Sequence, residues 1–209
     1  FFEGLSFAWS EEIFKNCVRT TNSHVAMPVG PERVTALSAV SARYSFRAFS
    51  VTGSLLHTCV AESASGGDVA PNRNRLSPSV ALSCYPFSGV DLCLRASYKS
   101  IFRMPTFNDL YYREIGNYKL SPEKTQQYNV GVAFSARPFG CCDELTVSAD
   151  VYRGEIKDKI VAVPTVFIWK MSNVDYVETL GADVNIKGTF SLPLRTKLLL
   201  STAYSYMLR

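Results

Sequence analysis

The chain has 209 residues, of which 47% are hydrophobic, 12% aromatic and 19% charged, and its net charge is +4. A composition this apolar excludes an intrinsically disordered chain, and the scattered Lys and Arg residues form no basic stripe for binding nucleic acid. Since no run of about 18 apolar residues predicts a membrane helix, the protein is either soluble or crosses a membrane as a closed β-barrel.

Alternation of apolar with polar or small residues predicts the first strands. Residues 1–9 form a strand, and a long polar connection follows over residues 11–32. Within it, residues 11–18 are expected to form one or two helical turns. Two further strands are predicted over residues 33–43 and 48–61, and a loop rich in turn-forming residues comes next.

A hairpin is predicted from residues 79–86 and 90–99. Directly opposed residues of an antiparallel pair share one face, so apolar residues must face apolar residues. Placing Leu82 opposite Leu94 meets this condition and leaves a loop of three residues. Gly89 then occupies the loop position that favours a left-handed backbone.

The same register predicts the state of two cysteines. It sets Cys84 opposite Leu92, whereas a two-residue loop would set Cys84 opposite Cys93 and also oppose Leu82 to Arg95. We therefore expect both thiols to be free and to point to opposite faces. The six cysteines show no CxxC or Cys/His zinc spacing, so neither a metal site nor a redox site is predicted.

A long aromatic connection over residues 100–122 separates this hairpin from a second alternating region. Strands are predicted there over residues 128–136, 145–163, 180–190 and 197–207. The connections along the chain run long, short, long, short, long, short, intermediate, short. Outer-membrane barrels have long extracellular loops and short periplasmic turns, whereas a β-sandwich has no reason to sort its loops in this way.

Each strand of such a barrel has a lipid-facing side and a lumen-facing side. A basic residue facing the middle of the bilayer costs roughly 2–4 kcal/mol, so charged and amide side chains belong in the lumen. We expect this of Arg95, Asp150, Asp183, Asn185 and Lys187. Aromatic girdles at the lipid boundary are expected from Tyr98, Tyr128, Phe190, Tyr204 and Tyr206.

The long connection carries an ordered motif, which reads FRMPTFNDLYY over residues 102–112 and IGNYKLSPEKTQQYNVG over residues 115–131. This motif resembles the FRxPTxxxLYY and GNxxLxPEKxxxYxxG signature of TonB-dependent outer-membrane receptors, most like those of Bacteroidetes. The resemblance covers most of the chain from about Tyr44 onward.

The resemblance implies an all-β chain in the outer membrane of a Gram-negative cell. Residues 1–209 would be part of a large transmembrane antiparallel up-and-down β-barrel, about nine strands of the 22-stranded class, with the plug domain and the C-terminal strands absent. The implied partners are outer-membrane lipid, the protein's own plug domain, the TonB complex through an N-terminal region, and a small nutrient ligand or a surface lipoprotein. The nutrient would be an iron chelate, a corrinoid or a glycan. No cofactor is implied.

Six residues are candidates for ligand binding from the extracellular loops: Arg103, Asn108, Asp109, Tyr111, Tyr112 and Trp169. The alternative is that they hold the loop against the barrel wall, with Arg103 paired to an acidic neighbour and the tyrosines packed. Glu123 is expected to begin the next strand and to bind backbone donors.

Catalysis is not predicted. His24 and His57 have no partner at motif spacing, and neither a GxSxG elbow nor a phosphate loop occurs. Two other functions stay open beside nutrient uptake: a soluble or surface-anchored β-sandwich that binds protein or carbohydrate, and a barrel subunit of a larger surface complex.

Overall fold

The computed structural model describes residues 4–18, 30–64, 68–140, 142–193 and 196–208. Nine antiparallel strands form one sheet in which each strand pairs with its neighbours in the chain. A short helix, α1 (Phe107–Tyr111), lies between β5 and β6. The strands are β1 (Leu5–Cys17), β2 (Glu32–Phe46), β3 (Phe49–Ser63), β4 (Arg73–Cys84), β5 (Asp91–Arg103), β6 (Glu123–Ala136), β7 (Cys142–Pro164), β8 (Trp169–Leu192) and β9 (Thr196–Leu208). The described residues include no helix with the length and hydropathy of a membrane span.

The two faces of this sheet differ in chemistry. The outer face carries Leu94, Val132, Ala149, Val184 and Tyr204, which oppose one another across β5 to β9. Large apolar side chains of this face are exposed rather than packed under a second sheet. The alternative of a β-sandwich, which needs a second sheet packed on this face, is therefore wrong for the described residues.

The inner face carries the polar side chains. Arg95, Gly131, Asp150 and Asp183 oppose one another across β5 to β8. Asn185 and Lys187 follow Asp183 at two-residue steps on the same strand and share its face. The prediction that the five charged and amide residues lie together on one face is confirmed.

Loop lengths alternate as predicted over most of the sheet, but the connection of intermediate length predicted between residues 163 and 180 is wrong, because β7 and β8 extend to Pro164 and Trp169 and leave only residues 165–168 between them. Residues 18–31, 64–72 and 104–122 separate strands at one end of the sheet, which we call the long-loop end. Residues 47–48, 85–90, 137–141 and 193–195 separate strands at the opposite end. The β7–β8 hairpin turns at residues 165–168 and extends past β6 and β9, whose pairing stops at Lys157 and Leu180.

Two local predictions at the start of the chain are corrected. Residues 11–17 continue β1, with Glu11 opposite Ser38 and Cys17 opposite Glu32, rather than forming helical turns or a loop. Backbone pairing with β2 decides the conformation here, because the side-chain pattern after Trp9 loses its clean alternation. The predicted turn at residues 65–67 lies outside the described residues, as do residues 1–3.

The predicted hairpin register is wrong by two residues. Cys84 pairs with Leu94 and Leu82 with Ala96, so the connection covers residues 85–90. Gly89 does not have a positive φ. A slip of two preserves the faces, because side chains alternate with a period of two.

The predicted state of both thiols is confirmed. Cys84 and Cys93 are free. Because Cys84 opposes Leu94, the residue next to Cys93, the two thiols point to opposite faces. Cys141 lies outside the described residues.

The β4–β5 ladder is short. It covers Ser79–Cys84 on β4 and begins directly after Pro78. Proline lacks the backbone N–H that a ladder bond needs, which explains why pairing stops there. Towards the long-loop end, β4 pairs with β3 while β5 pairs with β6.

Candidate functional site

Residues 104–122, which we call the signature segment, fold into a defined structure at the long-loop end. Helix α1 starts at a capping box, in which Asp109 N donates to Thr106 Oγ1 (3.2 Å) and Thr106 N donates to Asp109 Oδ2 (2.8 Å). The chain then turns sharply at Gly116. A Cβ atom there would lie 2.7 Å from Tyr112 N and 2.8 Å from Leu110 O, so only glycine permits this close approach.

The first attachment of the segment is a buried polar cluster on the inner face. Arg33 Nε donates to Glu62 Oε1 at 2.8 Å, and the Glu62 side chain is 0% exposed. The Tyr111 hydroxyl donates to Glu62 Oε2 (2.9 Å) and accepts from Ala70 N (3.0 Å). Arg33 Nη2 also donates to Pro105 O at 2.8 Å. These bonds connect β2 and β3 to both ends of α1.

The Arg33 guanidinium also stacks on the segment. Its central carbon lies 4.9 Å from the centre of the Phe107 ring. A cation held over an aromatic face is attracted by the ring quadrupole, more strongly where water is excluded. Arg33 therefore contacts the segment in two ways, by a hydrogen bond to Pro105 O and by a cation–π contact with Phe107.

The second attachment lies on β7 and β8. Asn173 Nδ2 donates to Ser121 O (2.9 Å) and to Asp158 O (2.7 Å), while Ser121 N donates to Asn173 Oδ1 (2.9 Å). Asn117 Nδ2 donates to Met171 O (3.2 Å). The segment thus crosses the inner face from β2 and β3 to β7 and β8, with β4, β5 and β6 between its attachments.

An apolar cluster fills the space between these attachments. It consists of Ala70, Leu110, Tyr111, Leu120 and Ile160, with Phe107, Tyr118 and Met171 packed against it. Leu110 and Leu120 are each 2% exposed, so most of the segment's own apolar side chains are removed from water. Burial of these side chains stabilises the segment in addition to its hydrogen bonds.

Three of the six predicted site residues hold this structure together. Arg103 Nε lies 2.9 Å from Glu123 Oε2, which confirms the expected pairing with an acidic neighbour. Glu123 begins β6 and its Oε1 accepts from Ile160 N (2.8 Å), so its predicted role with backbone donors is also confirmed. Asp109 caps α1 and Tyr111 is buried against Glu62.

The other three lie nearer to solvent. Asn108 is exposed on α1. Tyr112 and Trp169 line one open cleft of about 530 Å³ together with Arg113, Glu114, Ile115, Phe167 and Ile168. Trp169 is 56% exposed and Phe167 is 93% exposed. Met171 N donates to Ile115 O (3.0 Å), which fixes one wall of the cleft against the other.

A second open cavity, of about 640 Å³, lies on the inner face further from the long-loop end. Its main feature is the ion pair between Arg95 Nη2 and Asp150 Oδ2 (2.6 Å), which passes over Gly131 on the intervening strand. A Cβ atom at Gly131 would collide with the Asp150 carboxylate. The ion pair between Arg95 and Asp150 therefore requires a residue without a side chain at position 131.

Two tyrosines of the segment have raised pKa values. Burial is the main cause for Tyr111, and the hydrogen bond to the Glu62 carboxylate also raises its pKa, while the bond from Ala70 lowers it. For Tyr118 the main cause is a hydrogen bond to Asp68. Both phenols are neutral at physiological pH, which suits Tyr111 to donate to Glu62.

The comparisons with known proteins decide the family. The family described as "TonB dependent receptor-like, beta-barrel" matches residues 39–209, which is most of the chain. The chain belongs to this family. It is accordingly a segment of an outer-membrane β-barrel, and the expected fold class and location are confirmed.

Members of the TonB-dependent receptor family are similar to it in sequence and in structure. The vitamin B12 transporter BtuB of Vibrio vulnificus is 36% identical over 85 residues, covering 40% of this chain and 13% of BtuB. The matched part of the chain thus covers about an eighth of that relative's length.

Solved structures of the family show the same fold. The hemophore receptor HasR of Serratia marcescens, solved with its hemophore HasA and heme, superposes with a TM-score of 0.78 at 13% identity, covering 99% of this chain and 39% of HasR. The iron transporter FrpB of Neisseria meningitidis superposes with a TM-score of 0.66 at 14% identity, covering 98% of this chain and 33% of FrpB.

No role was predicted from the sequence for four residues that attach the segment, Arg33, Glu62, Asn117 and Asn173, although Asn117 lies in the motif at residues 115–131. Arg33 and Glu62 lie in strands whose alternation places them on the inner face, but their partners are 72 and 49 positions away along the chain. Only one feature of the sequence could have indicated Arg33 and Glu62: each is a charged residue near the end of a strand, on the side that faces the inner surface of the sheet.

Proposed function

We propose that this chain forms part of the wall and the extracellular mouth of a receptor that imports a scarce nutrient across the outer membrane. The observation that supports this most strongly is the signature segment, which is folded over the polar inner face at the long-loop end. In outer-membrane barrels that end is extracellular. The segment therefore stands where a ligand enters.

Within this proposal, Tyr112, Trp169 and Asn108 contact the ligand, and Arg103, Asp109 and Tyr111 hold the segment in place. Tyr112 and Trp169 offer aromatic faces to one cleft, with Arg113 and Glu114 beside them. Aromatic and guanidinium groups together suit a ring-containing ligand that also carries polar groups. An iron chelate, a corrinoid and a glycan all meet this description.

The partners follow from the same function. The inner face, with Arg95, Asp150, Asp183 and Asn185 around an open cavity, offers polar contacts for a plug domain inside the barrel. Energy for import would reach that plug from the inner membrane through TonB. The outer face contacts lipid. The relatives are receptors and transporters, and we assign no catalytic step to this chain.

Binding to the full-length protein in detergent tests the proposal. Cyanocobalamin, heme and a ferric siderophore are titrated by calorimetry into the wild type and into Trp169→Ala and Tyr112→Ala. Truncating an aromatic anchor in a binding site costs about 2 kcal/mol or more, so Kd for the bound probe should rise about 30-fold.

Trp9→Ala is the matched control, because Trp9 is a comparably exposed tryptophan on the outer face of β1. Its Kd should equal that of the wild type. The cleft is not the ligand site if a probe binds and all three variants bind it as tightly as the wild type does.

A further inference from the structure

The signature segment depends on one carboxylate that belongs to the sheet. Glu62 lies at the end of β3 on the inner face, its side chain is fully buried, and it accepts hydrogen bonds from Arg33 and from Tyr111. Its backbone N–H donates to Asn72 Oδ1 at 2.9 Å, in the loop between β3 and β4. Glu62 therefore joins three separate parts of the chain.

A buried carboxylate is stable only when its oxygens are fully bonded and a cation lies beside it. Arg33 supplies the cation, and Tyr111 supplies the second bond to the remaining oxygen. Detachment of the segment would leave Glu62 without the Tyr111 donor and would leave Arg33 without Pro105 O and the Phe107 ring. The charges thus oppose any movement of α1 away from the wall.

The position of α1 in turn determines the cleft. Tyr112 directly follows Tyr111 and caps the helix, with its N–H donating to Asn108 O (3.3 Å). Ile115 then bonds to Met171 on the same hairpin that carries Trp169. A displacement of Tyr111 is therefore transmitted within a few residues to both aromatic walls.

We propose that Glu62 is a positioning residue: through Arg33 and Tyr111 it fixes the signature segment on the inner face and so sets Tyr112 and Trp169 as the two walls of one cleft. The effect on ligand capture rests on the proposed function, whereas the effect on the segment does not.

Hydrogen exchange and 19F NMR of the full-length protein in detergent test this with Glu62→Gln. Asp150→Asn is the matched control, since Asp150 is also an inner-face carboxylate paired with an arginine but bonds to Arg95 rather than to the segment. Loss of hydrogen bonds to a charged group should raise amide exchange in residues 106–120 by about 10- to 100-fold in Glu62→Gln. Asp150→Asn should leave that exchange unchanged.

5-Fluorotryptophan provides a signal from the cleft itself. The Trp169 resonance is assigned by its loss in Trp169→Phe, and the Trp9 resonance by its loss in Trp9→Phe. In Glu62→Gln the Trp169 resonance should shift while that of Trp9 stays in place, whereas general destabilisation would move both. Tyr111→Phe, which removes the hydroxyl alone, should shift Trp169 in the same direction.

The proposal is overturned if Glu62→Gln and Asp150→Asn raise exchange of the segment equally, or if Trp9 and Trp169 respond together. These results do not depend on any ligand. One outcome separates the two proposals: amide exchange of the segment rises in Glu62→Gln, but Trp169→Ala binds every probe as tightly as the wild type. In that case Glu62 is a positioning residue, and the cleft is not the ligand site.

Discussion

Placing a charge on one face of β6 tests the orientation of the whole sheet. Val132 lies on the outer face between Leu94 and Ala149, and the neighbouring Ala133 lies on the inner face between Cys93 and Ser148. Val132→Arg directs a guanidinium into lipid, whereas Ala133→Arg directs it into the lumen. We expect the first variant to be strongly destabilised and the second to be nearly as stable as the wild type.

The structure gives the depth of Val132. The rings of Tyr98 and Tyr128, whose centres are 5.1 Å apart, lie on the outer face towards the long-loop end, where the predicted aromatic girdle would mark the lipid boundary. Val132 is four positions along β6 from Tyr128, about 14 Å at 3.4 Å per residue. With a strand tilt of about 45° this is about 10 Å of depth, close to the middle of an apolar band about 25 Å tall.

At that depth an arginine costs about 2–4 kcal/mol, which lowers the folding equilibrium constant roughly 30- to 1,000-fold. Urea unfolding in short-chain lipid vesicles, followed by the shift in electrophoretic mobility between folded and unfolded barrel, measures this cost. Equal destabilisation by the two substitutions would refute the assignment of faces, since a sheet with water or protein on both sides has no reason to distinguish them.

Three further predictions concern single contacts. Gly131→Ala should lower the free energy of unfolding by about 1 kcal/mol in the same assay, because the new methyl group separates the Arg95–Asp150 ion pair. Gly53→Ala should leave the free energy of unfolding unchanged, because the space around its new methyl group is open. Equal losses in the two variants would contradict the contact at Gly131. Because the folded pKa of Tyr111 is raised above its usual value of 10, the neutral phenol stabilises the segment fully below pH 10, and this is lost as pH rises through the folded pKa. The protection factors of the segment's amides, which are exchange rates corrected for the pH dependence of an unfolded chain, should fall above pH 10 in the wild type, and Tyr111→Phe should abolish this fall. Arg103→Ala should lower the free energy of unfolding by less than about 1 kcal/mol, because the arginine is half exposed. Glu123→Ala should lower it by about 1 kcal/mol more, since this change also leaves Ile160 N–H without its acceptor. The reverse order would contradict the roles assigned to the two residues.

The sheet and its two faces could be predicted from the sequence because successive side chains of a strand point to opposite faces. A period of two assigns Leu94 to one face and Arg95 to the other whatever the register, and loop lengths sort the strand ends. The register depends on the geometry of the turn, and the alternation of side chains does not determine that geometry. The hairpin slip of two residues at Cys84 and Leu94 follows from this.

The candidate site was harder to predict because its contacts are distant along the chain. The motif indicated that residues 101–124 are special, and Tyr112 and Trp169 line one cleft, so their ligand role stays a prediction. Asp109 caps α1 and the Tyr111 hydroxyl bonds to Glu62, contacts that the sequence did not predict. Which of two aromatic neighbours is buried depends on the helix phase, and that phase is set by the capping box at Thr106.

The crossing of the inner face by the signature segment also affects how the protein assembles. Its bonds join residues 49, 52 and 72 positions apart, so each closes a large loop of chain. The full set can form only once β2, β3 and β8 are in place. Contacts with this much sequence separation form late. Docking of the segment should therefore be the last step of folding at this end of the sheet.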